Sequence, residues 1–316
     1  MNKPTITVCV PVYNTAKYIK QCIESVFAQE FKDWVLLVSD NCSTDGTWEL
    51  LQQFQHPRMR LFRKPQNLGG VANFNFLLEK AETDFVCFLG SDDYFYPNHL
   101  GNKVRLLEQF PEAPFVHGAV RFADSEGNER PGDDFKCATI EERKETSTRF
   151  LKVNFVNITS AVLRTAAMRR HNLGFESRYL LMIDWALFLK LALLEGPLIY
   201  DEQPTAVYRI HPQSIARKAI PTFDWPYEAM RVRMDALTEY PATWREIGLD
   251  PLAEARSLTK PLWRLAFQQA RRGNFTNAKQ AWRFYREFYS PLDAFCDFPR
   301  YLRDGLRKGI KTKPSN

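Results

Sequence analysis

Two aspartates stand side by side at Asp92 and Asp93, where the apolar run Asp84–Gly90 (DFVCFLG) stops and the aromatics Tyr94, Phe95 and Tyr96 follow. Adjacent carboxylates repel, and they stay ionised at low cost only when positive charge lies between them and their target. A hard divalent cation is the simplest such charge. Magnesium or manganese keeps several waters and completes its shell with a few carboxylates and substrate phosphates. A solvated Asp-Asp turn is the plain alternative. Asp40 closes a second apolar run, WVLLVS (34–39), and Tyr13 follows a third, Thr5–Val12 (TITVCVPV). Open parallel sheets bind ligands beyond the carboxyl ends of their strands, so Tyr13, Asp40, Asp92 and Asp93 would share one rim. Asp184 heads an almost wholly apolar run, DWALFLKLALL. A carboxylate there suits the helix dipole as a cap, and it equally suits a base that takes the proton of an attacking hydroxyl.

The segments that must position these residues alternate in period. Thr5–Val12 is short, β-branched and apolar, as a strand buried on both faces is. Ala16–Gln29 places Ile19, Cys22, Ile23, Val26 and Phe27 at helical spacing. Trp34–Ser39 is a second strand. Ser43–Thr47 supplies capping chemistry for a helix through Trp48, Leu50, Leu51 and Phe54, with Asp45 read as a cap. Met59–Phe62, Gly70–Ala81 and Asp84–Leu89 then read as strand, helix and strand. The order β-α-β-α-β-α-β predicts an α/β fold with a mostly parallel sheet and helices on both faces. Further strands are expected near Phe115–Phe122, over Asn157–Arg164 and as two short pieces in Pro197–Ile210. An exposed loop is expected between the first two of these, and amphipathic helix beyond Pro221. Asn67, Gly69 and Gly70 read either as a plain turn or as small residues that let a ligand approach the backbone.

The 316 residues include 43 Lys and Arg against 37 Asp and Glu. The excess is local: Arg256–Asn316 carries 14 basic and 4 acidic residues, a net of +10, which leaves −4 on Met1–Ala255. Six cysteines occur with no C-x-x-C pair, which suits reduced core thiols. No signal peptide and no apolar run near the ~20 residues of a membrane span are visible. The expectation is a cytoplasmic protein whose basic C-terminal extension, with aromatics such as Trp263, Trp282 and Phe288, either lies on the inner face of a membrane or packs on the rest of the chain, with no nucleic-acid partner.

Five segments, in order, resemble glycosyltransferase family 2, the inverting, nucleotide-sugar-dependent transferases of GT-A (Rossmann-like) fold: VPVYNTAKYIKQCIESVFAQEFKDWVLLVSDNCSTDGT, RKPQNLGGVANFN, FLGSDDYFYP, LMIDWALFLKLA and YRIHPQSIAR. The likeness covers about Thr5 to Arg217. It implies that Tyr13 stacks on the nucleotide base and Asp40 hydrogen-bonds it, with Pro11 and Asn67 in the same nucleotide-binding set. It implies that Asp92 contacts ribose or metal, that Asp93 is the main protein ligand of a Mn2+ or Mg2+ ion, that His211 approaches the metal or the diphosphate, and that Asp184 is the general base. The implied partners are a nucleoside diphosphate sugar and a glycan or lipid-linked acceptor in surface polysaccharide assembly. Two departures stand out: Ile183-Asp184 where many relatives have Glu-Asp, and Ser-Asp-Asp in place of a full Asp-x-Asp.

Other classes fit less well. A nicotinamide-binding Rossmann enzyme needs G-x-G-x-x-G after its first strand, and the chain has Pro-Val-Tyr-Asn-Thr-Ala. A phosphotransferase would need a P-loop. A non-catalytic sugar-nucleotide binder would need Tyr13 and Asp40 but neither Asp93 nor Asp184. The expected organisation is a nucleotide-sugar half (1–110), an acceptor-side half with the base (111–218) and a basic helical extension (219–316).

Overall fold

The computed structural model describes residues 4–132, 138–214 and 224–258, with isolated positions between 270 and 279. Its elements run β1 (Ile6–Val12), α1 (Ile19–Phe27), β2 (Trp34–Asp40), α2 (Thr47–Leu51), β3 (Met59–Arg63), α3 (Gly70–Lys80), β4 (Phe85–Phe88), β5 (Tyr94–Phe95), α4 (His99–Gln109), β6 (Phe115–Ala123), β7 (Glu129–Pro131), β8 (Ile140–Glu141), α5 (Arg143–Phe150), a 3-10 turn (Ile158–Ser160), β9 (Val162–Arg164), α6 (Thr165–Arg170), α7 (Ile183–Leu194), β10 (Leu198–Arg209), α8 (Asp224–Glu239) and α9 (Pro241–Glu246).

The ten strands form one sheet in the order β3-β2-β1-β4-β9-β6-β10-β5, with β7 beside β6 and β8 beside β10. β3, β2, β1 and β4 are parallel, as the alternating pattern predicts. β9 runs antiparallel between β4 and β6. The chain first steps outward from β1 to β2 and β3, then returns to the other side of β1 as β4. That reversal makes the β1/β4 edge a topological switch point, where such sheets open a ligand crevice. Phe88 is level with Cys9, whereas Val12 is level with Asp40. β4 therefore stops short of the top of β1, and the chain from Leu89 to Asp93 turns over the crevice.

Burial explains the elements. β1 and β4 are apolar and covered on both faces, as strands flanked by helices are. α1 buries Ile19, Cys22, Ile23 and Val26 along one stripe. α7 buries Trp185 through Leu193 on all sides, which is where an evenly apolar helix belongs. Its one ammonium, Lys190, reaches out to Glu176 (2.6 Å) and Glu239 (2.7 Å). Cys9, Cys22 and Cys87 are free and buried.

Three readings change. The strand expected over Asn157–Arg164 is interrupted: the Asn157 side chain accepts the Thr159 N–H and starts a 3-10 turn, leaving only Val162–Arg164 extended. The two pieces expected in Pro197–Ile210 are one strand with a register shift between Asp201 and Ala206. Part of the expected loop is helix α5, whose apolar content is too low to show a stripe. The chain divides into compact units Met1–Pro251 and Leu252–Asn316, and within the first α8 and α9 pack on α7. Most of the second unit, including the aromatic and basic positions expected to meet a membrane, lies outside the described residues. Among the described residues no helix is long and apolar enough to cross a membrane.

Candidate active site

The loop after β4 is a tight turn in which the Asp93 N–H donates to the Gly90 carbonyl (2.9 Å). It points the two aspartates in different directions. Asp93 faces inward and is 2% exposed. Its carboxylate accepts the backbone N–H of Arg209 (2.8 Å) and the Thr159 hydroxyl (2.5 Å). Burial, and then the charge of Asp92, push its pKa well above the usual carboxylate range. Asp92 faces the rim, a quarter exposed, with one carboxylate oxygen 2.8 Å from His211 Nε2. That contact raises the His211 pKa against the opposing effect of burial.

Arg209, at the end of β10, ties this loop to the rest of the sheet. It is buried. Its Nε donates to the Asp92 carbonyl (2.9 Å), and its terminal nitrogens donate to the Asp124 carbonyl (2.8 Å) and to Gln21 Oε1 (2.7 Å). The guanidinium lies over the rings of Tyr18 (4.7 Å) and Tyr94 (5.5 Å), contacts of the cation–π kind. Sequence reasoning missed Arg209 and Thr159. The signal for the first was an arginine ending the short apolar piece Ala206–Tyr208, two residues before His211.

Gly90 is required by this packing. A Cβ there would come 2.6 Å from Asp93 Oδ2 and 3.1 Å from Asp92 Oδ1. Gly90→Ala should displace both carboxylates and lower stability by about 1–3 kcal/mol, the usual cost of overpacking. A thermal melt beside the native protein measures it.

The ends of β1 and β2 form the adjoining part of the rim. Tyr13 presents its ring to solvent, 45% exposed. Asn14, at φ +52°, accepts the Thr44 N–H (2.9 Å) and donates its own N–H to Ser43 Oγ (2.9 Å). Asp45 accepts the N–H groups of Ala16 and Thr47 (3.1 Å each), so it braces the loop before α2, while the N-cap position read for it from sequence is taken by Gly46 with no side-chain cap. Asp40 is fully buried. It accepts the Ser43 N–H (3.2 Å) and lies 3.5 Å from Arg63 Nε. Its carboxylate is thus engaged within the loop, whereas the resemblance implied an open contact to a base. Asn67 accepts from Asn41 Nδ2 (2.8 Å) and from the Gly69 N–H (2.9 Å). Asn41, unremarked in the sequence, also accepts the Leu68 N–H (3.0 Å). Gly69 sits at φ +85°, ψ +159°, a region essentially closed to residues with a Cβ. The turn at 67–69 is therefore specific, and it delivers the start of α3 to the rim. Pro11 is the penultimate residue of β1, level with Ser39.

Asp184 lies in the first turn of α7. One oxygen accepts the Trp185 N–H (2.7 Å), and the other has only a long contact from Asn154 Nδ2 (3.4 Å). Burial raises its pKa to about 6. A carboxyl poised there is ionised at neutral pH yet basic enough to accept a proton. Tyr208, next to Arg209, connects the two groups of acids. Burial and then the fields of Asp93, Asp92 and Asp184 all raise its pKa. The structure thus brings Asp92 and His211 into direct contact, turns Asp93 inward beneath them and sets Asp184 on a separate element. Among the described residues no three His, Cys, Asp or Glu side chains form a closed metal cage.

Comparison with known proteins agrees with this architecture. The model of glycosyl transferase family 2 matches residues 7–173. An uncharacterized glycosyltransferase of Haemophilus influenzae is 29% identical over 232 residues, 72% of this chain and 88% of that one. A Bacillus subtilis protein named for teichuronic acid biosynthesis is 34% identical over 107 residues, 33% of this chain and 42% of that one. The structure of S. aureus TarS residues 1–349 with UDP-GlcNAc superposes with a TM-score of 0.64 at 18% identity, covering 90% of this chain and 92% of that one. At that identity the likeness speaks to the fold alone. The strand order, the rim of acids at its switch point and the family match over more than half the chain lead to one assignment: this protein is a glycosyltransferase of family 2.

Proposed function

We propose that this glycosyltransferase moves one sugar from a nucleoside diphosphate sugar to an acceptor hydroxyl, with inversion and with a divalent cation. The observation that carries the reading is the division of the acids. A rim carboxylate paired with an imidazole stands at the β1/β4 crevice, and a carboxyl with a pKa near 6 stands on another element. An inverting displacement needs that division, because base and leaving group act on opposite faces of the sugar.

In this reading Tyr13 stacks on the base, and Pro11, Asp40 and Asn67 shape the pocket that receives it. Asp92 and His211 hold the cation. The Asp92 carboxylate suits manganese or magnesium, whose remaining ligands would come from diphosphate and water, and the His211 imidazole would join it by giving up its bond to Asp92. When bound, the ion supplies charge stabilisation for the departing diphosphate. The sequence assigned the main ligand role to Asp93. We reassign it to Asp92, because both oxygens of Asp93 already serve Arg209 and Thr159. Asp184 takes the acceptor hydroxyl's proton as the new bond forms from that oxygen to the anomeric carbon. The bond from the anomeric carbon to the diphosphate oxygen breaks, and the electron pair leaves with the diphosphate. The proposed acceptor is a surface glycan, a reading supported by the Bacillus subtilis relative named for teichuronic acid biosynthesis.

The test is a panel of UDP- and GDP-sugars, with release of nucleoside diphosphate measured with and without a chelator. Release from one donor, abolished by chelation and restored by Mn2+ or Mg2+, is the expected result. Release indifferent to chelator would remove the metal from the reading. Retention of anomeric configuration in the product would remove inversion.

A further inference from the structure

We infer that Glu228, on α8, is a positioning residue that caps the base-bearing helix from outside and so leaves Asp184 free to act on substrate. The inference rests on the reading of Asp184 as the base. The Glu228 side chain is 8% exposed. Its carboxylate accepts three consecutive backbone N–H groups: Leu180 (2.9 and 3.0 Å), Leu181 (2.7 Å) and Met182 (3.1 Å). These residues immediately precede α7, and Met182, at its N-cap, contributes no side-chain bond.

The chemistry of a helix start explains why this matters. The first N–H groups of a helix have no partner within it, and they attract any nearby anion. Without another acceptor, the side chain best placed to satisfy them is Asp184. A carboxylate committed to several backbone donors is held in one orientation and made less basic. Glu228 takes the donors at 180–182, which lead into α7, so Asp184 engages only N–H groups of its own turn, its own and that of Trp185, and keeps one oxygen with nothing closer than Asn154 at 3.4 Å. The acid that the chain lacks next to Asp184, where it has Ile183, is thus supplied from 45 residues further on.

α8 is built to hold this position. Asp235, seven residues on, accepts the Tyr179 hydroxyl (2.7 Å), and Glu239, four further, accepts from Lys190 of α7 (2.7 Å). Spacings of seven and four keep all three acids on one face of α8. Leu180 itself is 73% exposed, whereas Tyr179 and Met182 on either side are buried.

The test compares E228Q, E228D, D184N and the double variant E228Q/D184N in the full chain, using the donor that gives most nucleoside diphosphate release in the panel above. E228Q replaces one acceptor oxygen with a donor. It should lower kcat about 30-fold, within the range that a misplacement of about 1 Å produces, while the donor KM stays within twofold. The acid limb of its kcat/KM profile should move below the native position near pH 6, because Asp184 now caps the helix. E228D should recover part of kcat, and it carries the comparison if E228Q melts below the assay temperature. In the D184N background E228Q should cost less than about twofold, since it acts through a group no longer present. Native kcat in E228Q beside a crippled D184N overturns the inference and leaves the base reading standing. Equal fractional losses in both backgrounds also overturn it. Native kcat in D184N overturns both.

Discussion

Asp184→Asn should lower kcat by about a hundredfold or more, as loss of a general base does, with donor affinity close to native. The same carboxyl sets the pH dependence. With a pKa raised to about 6 by burial, kcat/KM should climb as pH rises through about 6 and level above it, and that limb should vanish in the variant. Stability should run the other way. An unfolded aspartate titrates near pH 3.9, below the folded value, so the fold favours the protonated form. This contribution is complete below about pH 4 and is lost as pH rises through about 6, with a size of about 2–3 kcal/mol. Asp184→Asn has no charge to bury. Its melting temperature should therefore gain on the native protein between pH 5 and pH 8 while its activity falls. A variant that lost donor affinity together with turnover would instead mark Asp184 as a structural cap.

The second large effect separates the adjacent aspartates. Asp92→Asn should reduce donor turnover by about a hundredfold or more and weaken the response to Mn2+ or Mg2+, because several kcal/mol of charge stabilisation on the leaving group go with the ligand. Asp93→Asn should stay within about fivefold of native. Asp93 is buried, its pKa is raised by burial and by Asp92, and its oxygens meet one N–H and one hydroxyl. An amide can accept from the Arg209 N–H and donate to Thr159 in the same space. Titrating Mn2+ against turnover for both variants decides the matter. A collapse in Asp93→Asn with a near-native Asp92→Asn would return the ligand role to the inner acid.

The sequence could show that two acids close a strand, but not which of them turns inward. That depends on Gly90, which lets the turn close without a Cβ, and on the Arg209 N–H that waits inside. The parallel half of the sheet was legible because β1, β2 and β4 are near-continuous apolar runs and α1 repeats its apolar residues on one face. α5 was not, since RKETSTRF carries no apolar stripe. Asn41 and Thr159 act through bonds to residues whose proximity only the sheet order creates. An Asn or Thr in such a stretch carries no mark in the sequence that separates it from a solvated one. Glu228 looked like one acid among many on an amphipathic helix. What distinguishes it is three N–H groups delivered from the far side of β10.

The bond between Arg209 and Asp93 joins residues 116 positions apart. Contacts at such separation form late, because the entropy of closing a long loop must be met before they contribute. β1 to β4 can pair as soon as they leave the ribosome, whereas the turn that carries Asp92 and Asp93 waits for the end of β10. The turn that carries Asp92 and Asp93 is therefore fixed only once β10 lies between β6 and β5, which makes it the part of the sheet edge that depends most on distant contacts.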